Sequence, residues 1–374
     1  MSIPFNRPYV TGRELEYLRQ ALEGRHLSGN GEFTKECESY LEKTTGTRKA
    51  LLVHSCTAAL EMAALLCELK PGDEVIVPSF TFVTTASSIA LRGAVPVFVD
   101  IRPDTLNIDE KKIEAAITAK TKAISVVHYA GVAAEMDAIM AIAKKHGLRV
   151  IEDAAQCVGS SYKGRALGTI GDLGAVSFHE TKNVISGEGG ALYVNNESLV
   201  LPAEIIREKG TNRTSFMRRE VAFYTWVELG SSYVMSEMLA AFLLAQLENM
   251  ETITAQRLKI WNHYYESFAE AERAGLVQRP VVPEGCKHNG HLFYLLLPNV
   301  EKREALIGAL KKEGIGSTFH YLPLHLSPAG KKYGRAHGDL RETIAASERL
   351  VRLPVWPELD QVERVVAAVK GHLA

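Results

Sequence analysis

The sequence predicts an α/β fold: a mostly parallel sheet sandwiched by helices, followed by a small C-terminal α+β unit. Short, continuously apolar runs alternate with helical segments between residues 49 and 151, the pattern of strands covered on both faces. Polar residues recur at or just past the ends of such runs: His54, Ser79, His128, Asp153 and His179. Sheets of this kind bind ligands beyond the carboxyl ends of their strands. The 374 residues, 46% hydrophobic and 23% charged, exceed one ordinary core and fit a large unit plus a smaller one.

Residues 1–12 read as an extended arm with Pro4, Pro8 and Gly12. A helix over 13–22 sets Leu15, Leu18 and Leu22 on one face. Gly24, Gly29 and Gly31 make a loop before a helix at 33–43. Strands are expected at 50–53, 74–77, 95–99, 123–127, 148–151 and 175–178, with helices at 57–69, 83–91, 110–117 and 135–146. Pro71-Gly72 ends one of these helices and Pro78 closes one strand. Residues 199–233 are irregular and charged, and one or two long helices fill 235–272. The expected boundary lies near residue 250, giving a large ligand-binding unit over 1–250 with its arm and a small unit over 251–374. In the small unit the pattern gives strands at 291–297 and 316–319, and helices at 302–313, 342–351 and 361–372.

Net charge is −1 with Lys and Arg spread along the chain, which argues against a nucleic-acid partner. Cys37, Cys56, Cys67, Cys157 and Cys286 are odd in number and none has metal-ligand spacing, so a reducing compartment is expected. Residues 1–8 lack an apolar core of signal-peptide length. The most apolar long stretch, 234–247, carries Glu237 and Gln246 and is too short to span a bilayer. A cytoplasmic protein without a membrane partner is the expectation.

Two strand ends carry the chemistry. The run Val150-Ile151-Glu152-Asp153 delivers an acid, and Ala175-Val176-Ser177-Phe178 delivers Lys182 shortly afterwards. An acid and a lysine on adjacent strand ends can hold the nitrogen and the aldehyde carbon of one pyridoxal phosphate ring. A free lysine, with a pKa of about 10.4, is a poor nucleophile at neutral pH. An imine to an aldehyde cofactor removes that difficulty, and the released amine can then move a proton. Alone, Lys182 is more simply a surface lysine; Asp153 and the glycine-flanked context reverse that reading. Asp153 favours a protonated pyridine nitrogen, and reads equally as the cap of a helix opening at Ala154-Ala155.

Ser55, Cys56, Thr57 and Ala58 join a strand to a helix, where small residues let backbone N–H groups meet a phosphate. An ordinary helix cap explains them as well. Ser177 could add a hydroxyl to that phosphate. Of Phe80 and Phe82, one can stack on a cofactor ring and at least one belongs to the core. His320, Tyr321 and His325 can face a substrate, and Arg7, His179 and Arg213 are further candidates for substrate contact. No metal site is expected, because the histidines are not joined by a carboxylate or cysteine. Gly168, Gly171 and Gly174 lack dinucleotide-loop spacing and lead into a strand rather than a helix.

These segments together resemble the DegT/DnrJ/EryC1/StrS family of sugar-nucleotide aminotransferases. The likeness runs from residue 4 to about residue 325, with 152–156 (EDAAQ) and 177–183 (SFHETKN) as its strongest motifs. The stretches 178–183, 207–213 and 230–233 are similar to a branch that aminates C4 of dTDP-linked 4-keto-6-deoxy sugars for surface-polysaccharide synthesis. The resemblance implies the type I aminotransferase fold, pyridoxal 5'-phosphate as cofactor, L-glutamate as donor, and a homodimer with shared active sites. By position, Lys182 matches the imine-forming lysine and Asp153 the partner of the ring nitrogen. Gln156 matches the residue packed near the phenolic oxygen, Thr57, Ala58 and Ser177 the phosphate cradle, and Phe82 the stacking aromatic. Many relatives have G-x-N-Y-R where this chain has Gly230-Ser231-Ser232-Tyr233-Val234, so Ser232 replaces an Asn that reaches the partner's phosphate. Two rivals remain: a sibling acting on another keto sugar nucleotide or at C3, and a non-catalytic binding relative, against which the intact Lys182 argues.

Overall fold

The computed structural model describes residues 2–373; Met1, at the start of the expected arm, and Ala374, at the end of the expected small unit, lie outside the described residues. The strands are Lys49–Val53 (β1), Glu74–Pro78 (β2), Val95–Val99 (β3), Thr121–Val127 (β4), Arg149–Asp153 (β5), Ser161–Tyr162 (β6), Arg165–Ala166 (β7), Leu173–Ser177 (β8), Gly190–Val194 (β9), Cys286–Lys287 (β10), Phe293–Leu296 (β11), Arg335–Ala336 (β12) and Leu350–Leu353 (β13). Eight of them form the central sheet in the order β1-β9-β8-β5-β4-β2-β3-β12. From β8 through β12 every neighbouring pair is parallel. β9 is antiparallel to both its neighbours. No strand was expected at 190–194; β9 returns directly beside β8, and the residues between them form the arch that carries Lys182.

The strand residues are apolar on both sides because both faces are covered. Leu52, Ile76, Val97, Ile124 and Val150 pack on one side, and Leu51, Val75, Val77, Ala123 and Ile151 on the other. A separate apolar cluster, including Trp261, Tyr264, Phe268 and Phe293, sits under β11 and β13 and the helices Val300–Lys312 and Val362–Leu373.

Three expectations are corrected. The helix Glu14–Glu23 buries Glu14, Tyr17 and Ala21, whereas Leu15 is 79% exposed. A buried acid wins over the leucine stripe because its oxygens take three donors: the N–H groups of Thr11 at 2.7 Å and Gly12 at 2.8 Å, and Gln246 Nε2 at 2.7 Å. Residues 316–319 form no strand; Thr318 makes only an isolated bridge to Arg352. The long helical stretch is three helices, Glu237–Glu248, Met250–Ser267 and Ala269–Arg273, broken at Asn249 and Phe268.

Candidate active site

A cavity of about 410 Å³ opens at the carboxyl ends of β4, β5 and β8. Cys56, Thr57, Phe82, Asp153, Gln156, Ser177, His179, Lys182, His320 and Tyr321 line it, so ten of the residues picked from sequence converge here. The others lie elsewhere in the protomer. Arg7 sits over the Trp356 ring at 5.6 Å. Arg213 pairs with Glu208 at 3.5 Å. Ser232 is exposed and bridges Glu208. The His325 backbone N–H donates to Ser79 Oγ at 3.0 Å, and that hydroxyl lies 2.7 Å from His325 Nδ1. The Ala58 N–H donates to Ser55 Oγ at 3.1 Å, so Ser55 caps the helix Cys56–Leu66.

That helix aims its N-terminus at the cavity, with its positive dipole end and the start of its backbone facing inward. Gly190 makes the approach feasible, since a Cβ there would lie 2.5 Å from the Cys56 backbone nitrogen. The two phenylalanines divide: Phe80 is core, packed on Tyr129 and Tyr321, while Phe82 is 56% exposed and lines the cavity.

Asp153 ends β5 and is buried. Its Oδ2 accepts from Thr85 Oγ1 at 2.6 Å and its Oδ1 from Ala155 N at 3.2 Å. Burial pushes its pKa above the usual carboxylate range, against the pull of those donors and of Lys182. Among the described residues no cation pairs with it. Lys182 is half-buried and its Nζ makes no hydrogen bond among them. Burial, and then the charge of Arg352, hold its amine below the ordinary lysine range.

Gln156 is fixed at both ends of its amide. Its Oε1 accepts from Ala130 N at 2.6 Å and its Nε2 donates to Tyr321 Oη at 3.1 Å. His320 stacks on Tyr321 with centroids 3.7 Å apart. Its Nε2 lies 2.8 Å from Arg352 Nη1, which can only donate, so His320 is neutral and its Nδ1–H donates to Tyr129 Oη at 3.1 Å. Burial holds this imidazole far below its usual pKa.

The sequence reading missed the turn 288–291. Asn183, next to the lysine, donates from Nδ2 to Asn289 O at 2.9 Å and accepts from His291 Nδ1 at 3.0 Å. Asn289 in turn donates to Gln156 O at 2.9 Å. Arg257 donates to Gly290 O and His291 O at 3.2 and 2.6 Å. The turn thus ties the lysine arch to the Gln156 loop. Its only sequence signal was the dense polar run His288-Asn289-Gly290-His291 before an apolar strand.

The rejected glycine motif has a structural role. Glu152, the neighbour of Asp153, is fully buried and accepts from the N–H groups of Gly168, Ile170 and Gly171 at 2.8, 2.6 and 2.6 Å. His128 Nδ1 accepts from Ala134 N at 3.1 Å, so its Nε2–H donates to Glu152 Oε2 at 2.8 Å.

A buried carboxylate without a cation, a lysine without a partner and an inward-facing helix N-terminus fit a cofactor bearing a basic ring nitrogen, an aldehyde and a phosphate. Fold and site together define a pyridoxal 5'-phosphate-dependent aminotransferase. The chain belongs to the DegT/DnrJ/EryC1/StrS aminotransferase family, whose model matches residues 8–370, and it is a sugar aminotransferase. It is 37% identical to the uncharacterized protein MJ1066 of Methanocaldococcus jannaschii, over 98% of this chain and 97% of that one. It is 36% identical to the spore coat polysaccharide biosynthesis protein SpsC of Bacillus subtilis, over 98% and 96%. Among solved structures it is similar to Spr1654 of Streptococcus pneumoniae in its PLP form, a protein designated a sugar aminotransferase, with TM-score 0.91 and 30% identity over 100% and 99% of the chains. It is also similar to the aminotransferase TlmJ of Streptoalloteichus hindustanus, with TM-score 0.91 and 28% identity over 100% and 99%.

Proposed function

We propose that the enzyme moves an amino group from L-glutamate to C4 of dTDP-4-dehydro-6-deoxy-D-glucose, giving dTDP-4-amino-4,6-dideoxy-D-galactose and 2-oxoglutarate. The observation that carries this is the set of segments 178–183, 207–213 and 230–233, which match the C4-aminating branch and include the lysine arch itself. Arg257 and Arg352 also line the cavity without a carboxylate partner among the described residues, giving it the positive character that anionic substrates require.

The cofactor, when bound, supplies an aldehyde that takes up the amino group and a cationic ring that withdraws electrons from the reacting carbon. Lys182 would hold the aldehyde carbon until the substrate amine displaces it; its freed Nζ, held below the ordinary lysine range by burial, would then accept the proton from the substrate carbon and return it. Asp153 would hold the proton on the ring nitrogen, and Thr85 orients that carboxylate. The N–H groups of Cys56 and Thr57 and the Ser177 hydroxyl would hold the phosphate, with Ala58 completing the first turn. Phe82 would cover the ring and Gln156 would pack near its oxygen. His179, His320 and Tyr321 face the substrate.

The working unit in this reading is a cytoplasmic homodimer. Phe223 and Trp226 are 79% and 72% exposed, and Met217 and Leu229 are exposed as well, which supports an interface with a second copy. Arg7, Arg213 and Ser232, absent from the cavity of their own protomer, then serve the partner's site. Five free cysteines fit a reducing compartment, and among the described residues no helix is long and apolar enough to cross a membrane.

The test is incubation with glutamate and a panel of nucleotide-linked 4-keto and 3-keto sugars, with product NMR at C3 and C4. Amination at C4 of the dTDP sugar with the galacto configuration is expected. A product aminated at C3, on another base, or with the opposite C4 configuration would replace this assignment with a sibling activity.

A further inference from the structure

We propose that His291 is a positioning residue for Lys182: the bare Nε2 of its imidazole accepts an N–H of the lysine amine while that amine carries the substrate's proton. This rests on the aminotransferase reading and adds a residue to it. His291 ends the turn 288–291, is buried, and lines the same cavity as Lys182. Its tautomer follows from its neighbours. Asn183 Nδ2 donates to Asn289 O at 2.9 Å, a carbonyl that can only accept, so Asn183 turns its Oδ1 toward His291 Nδ1 at 3.0 Å. Nδ1 therefore carries the hydrogen and Nε2 a lone pair. Nε2 is neither enclosed nor hydrogen-bonded among the described residues, so it opens onto the cavity. Lys182 Nζ is also unbonded among them, which leaves amine and acceptor in one cavity, with Asn183, the next residue, tying the two segments together.

An amine that takes a proton from carbon becomes an ammonium, and here it does so in a space that already holds Arg257 and Arg352. Asp153 is reserved for the ring nitrogen. A desolvated ammonium is costly unless its N–H groups find acceptors. A neutral imidazole supplies one without capturing the proton: burial first, then the charges of Lys182, Arg257 and Arg352, hold His291 far below its usual pKa. A carboxylate in the same place would hold the ammonium too firmly and slow the return of the proton. Arg257 fixes the backbone of the turn through Gly290 O and His291 O, so the imidazole keeps its place. The other titratable groups that act on the amine are Cys56, Asp153, Arg352 and Cys157. A substitution at His291 leaves all four in place, so any change it makes to the amine is the acceptor's own.

Two variants separate the two ends of the ring. His291→Asn keeps a donor near the Nδ1 position and lacks the cavity acceptor; His291→Gln places an amide oxygen near the Nε2 position. In cofactor-free enzyme, loss of an acceptor for the ammonium lowers the Lys182 pKa. His291→Asn is therefore expected to capture pyridoxal 5'-phosphate several-fold faster than wild type at about pH 7.5, with the rise in capture rate moved to lower pH. In loaded enzyme the same variant is expected to release deuterium from α-deuterated glutamate about tenfold more slowly, the scale of one hydrogen bond to a charged group. His291→Gln is expected to stay within about threefold of wild type in both measurements. Faster capture together with slower proton transfer is a pairing that general damage to the site does not produce. Both rates falling together in His291→Asn, or both unchanged, overturns the proposal. Neutron diffraction from wild-type crystals reads the ring directly: a deuteron on Nδ1 and none on Nε2 is expected, and a deuteron on Nε2 overturns the proposal even if neither variant folds. Failure of wild type to capture the cofactor would sink the aminotransferase reading itself, whereas normal capture that His291→Asn leaves unchanged sinks only the role of His291.

Discussion

Thr85 Oγ1 donates to Asp153 Oδ2 at 2.6 Å, joining the first turn of the helix Val83–Ala90 to the end of β5. The same hydroxyl lies 2.8 Å from Thr81 Oγ1. A short hydroxyl chain thus holds one oxygen of the buried acid and works against the burial that raises its pKa.

Removing that donor in Thr85→Val should therefore raise the Asp153 pKa further. The ionised fraction then falls at mildly acidic pH, so the acid limb of the donor half-reaction moves to higher pH. A loss of about tenfold near pH 6 is expected, with Thr85→Ser close to wild type. A pH profile identical to that of wild type would show that Thr85 does not act on this acid.

Lys182→Ala should lose the visible absorbance of the bound cofactor and at least about a thousandfold in turnover, the scale of a lost nucleophile and proton carrier together. Absorbance and steady-state rates measured on the same preparation check it. A variant that keeps the band would exclude Lys182 as the holding group.

In cofactor-free enzyme, Arg352→Gln removes a positive neighbour of Lys182 and lets its amine pKa rise. Fewer lysines are then neutral at about pH 7.5, so cofactor capture slows by several-fold, and its rate recovers at higher pH. Stopped-flow capture across pH reads this directly; a profile shifted to lower pH contradicts the stated coupling.

Gly190→Ala puts a Cβ 2.5 Å from the backbone at Cys56 and Ser55, so the helix Cys56–Leu66 must retreat from β9. Weakened cofactor affinity by about tenfold or more is expected, because the phosphate loses its alignment with the helix end. Equilibrium dialysis measures it, and unchanged affinity would detach that helix from phosphate binding.

Glu152→Ala should lower stability by about 3 kcal/mol or more, since three buried N–H groups lose their acceptor, and Glu152→Gln by less. Urea denaturation of both variants tests the order.

The strands were legible because burial on both faces leaves an unbroken apolar run, and Asp153 and Lys182 were legible because they end two such runs. Phe82 could be told from Phe80 only in the structure, where one packs on Tyr129 and the other meets the cavity. Arg352 was illegible: it sits in an ordinary β13 strand, and only tertiary packing brings it to the lysine. Leu15 and Leu22 misled because a helix chooses its buried face by what the neighbouring element offers, here Gln246 for Glu14 and Glu248 for Tyr17.

Glu152 and Asp153 stand side by side on β5, and adjacent strand residues point to opposite sides of a sheet. One carboxylate is thereby assigned to anchoring and its twin to chemistry by nothing more than parity. Deleting a single residue upstream in that strand would exchange their destinations, which makes the register of five residues as vital to this enzyme as the identity of any one of them.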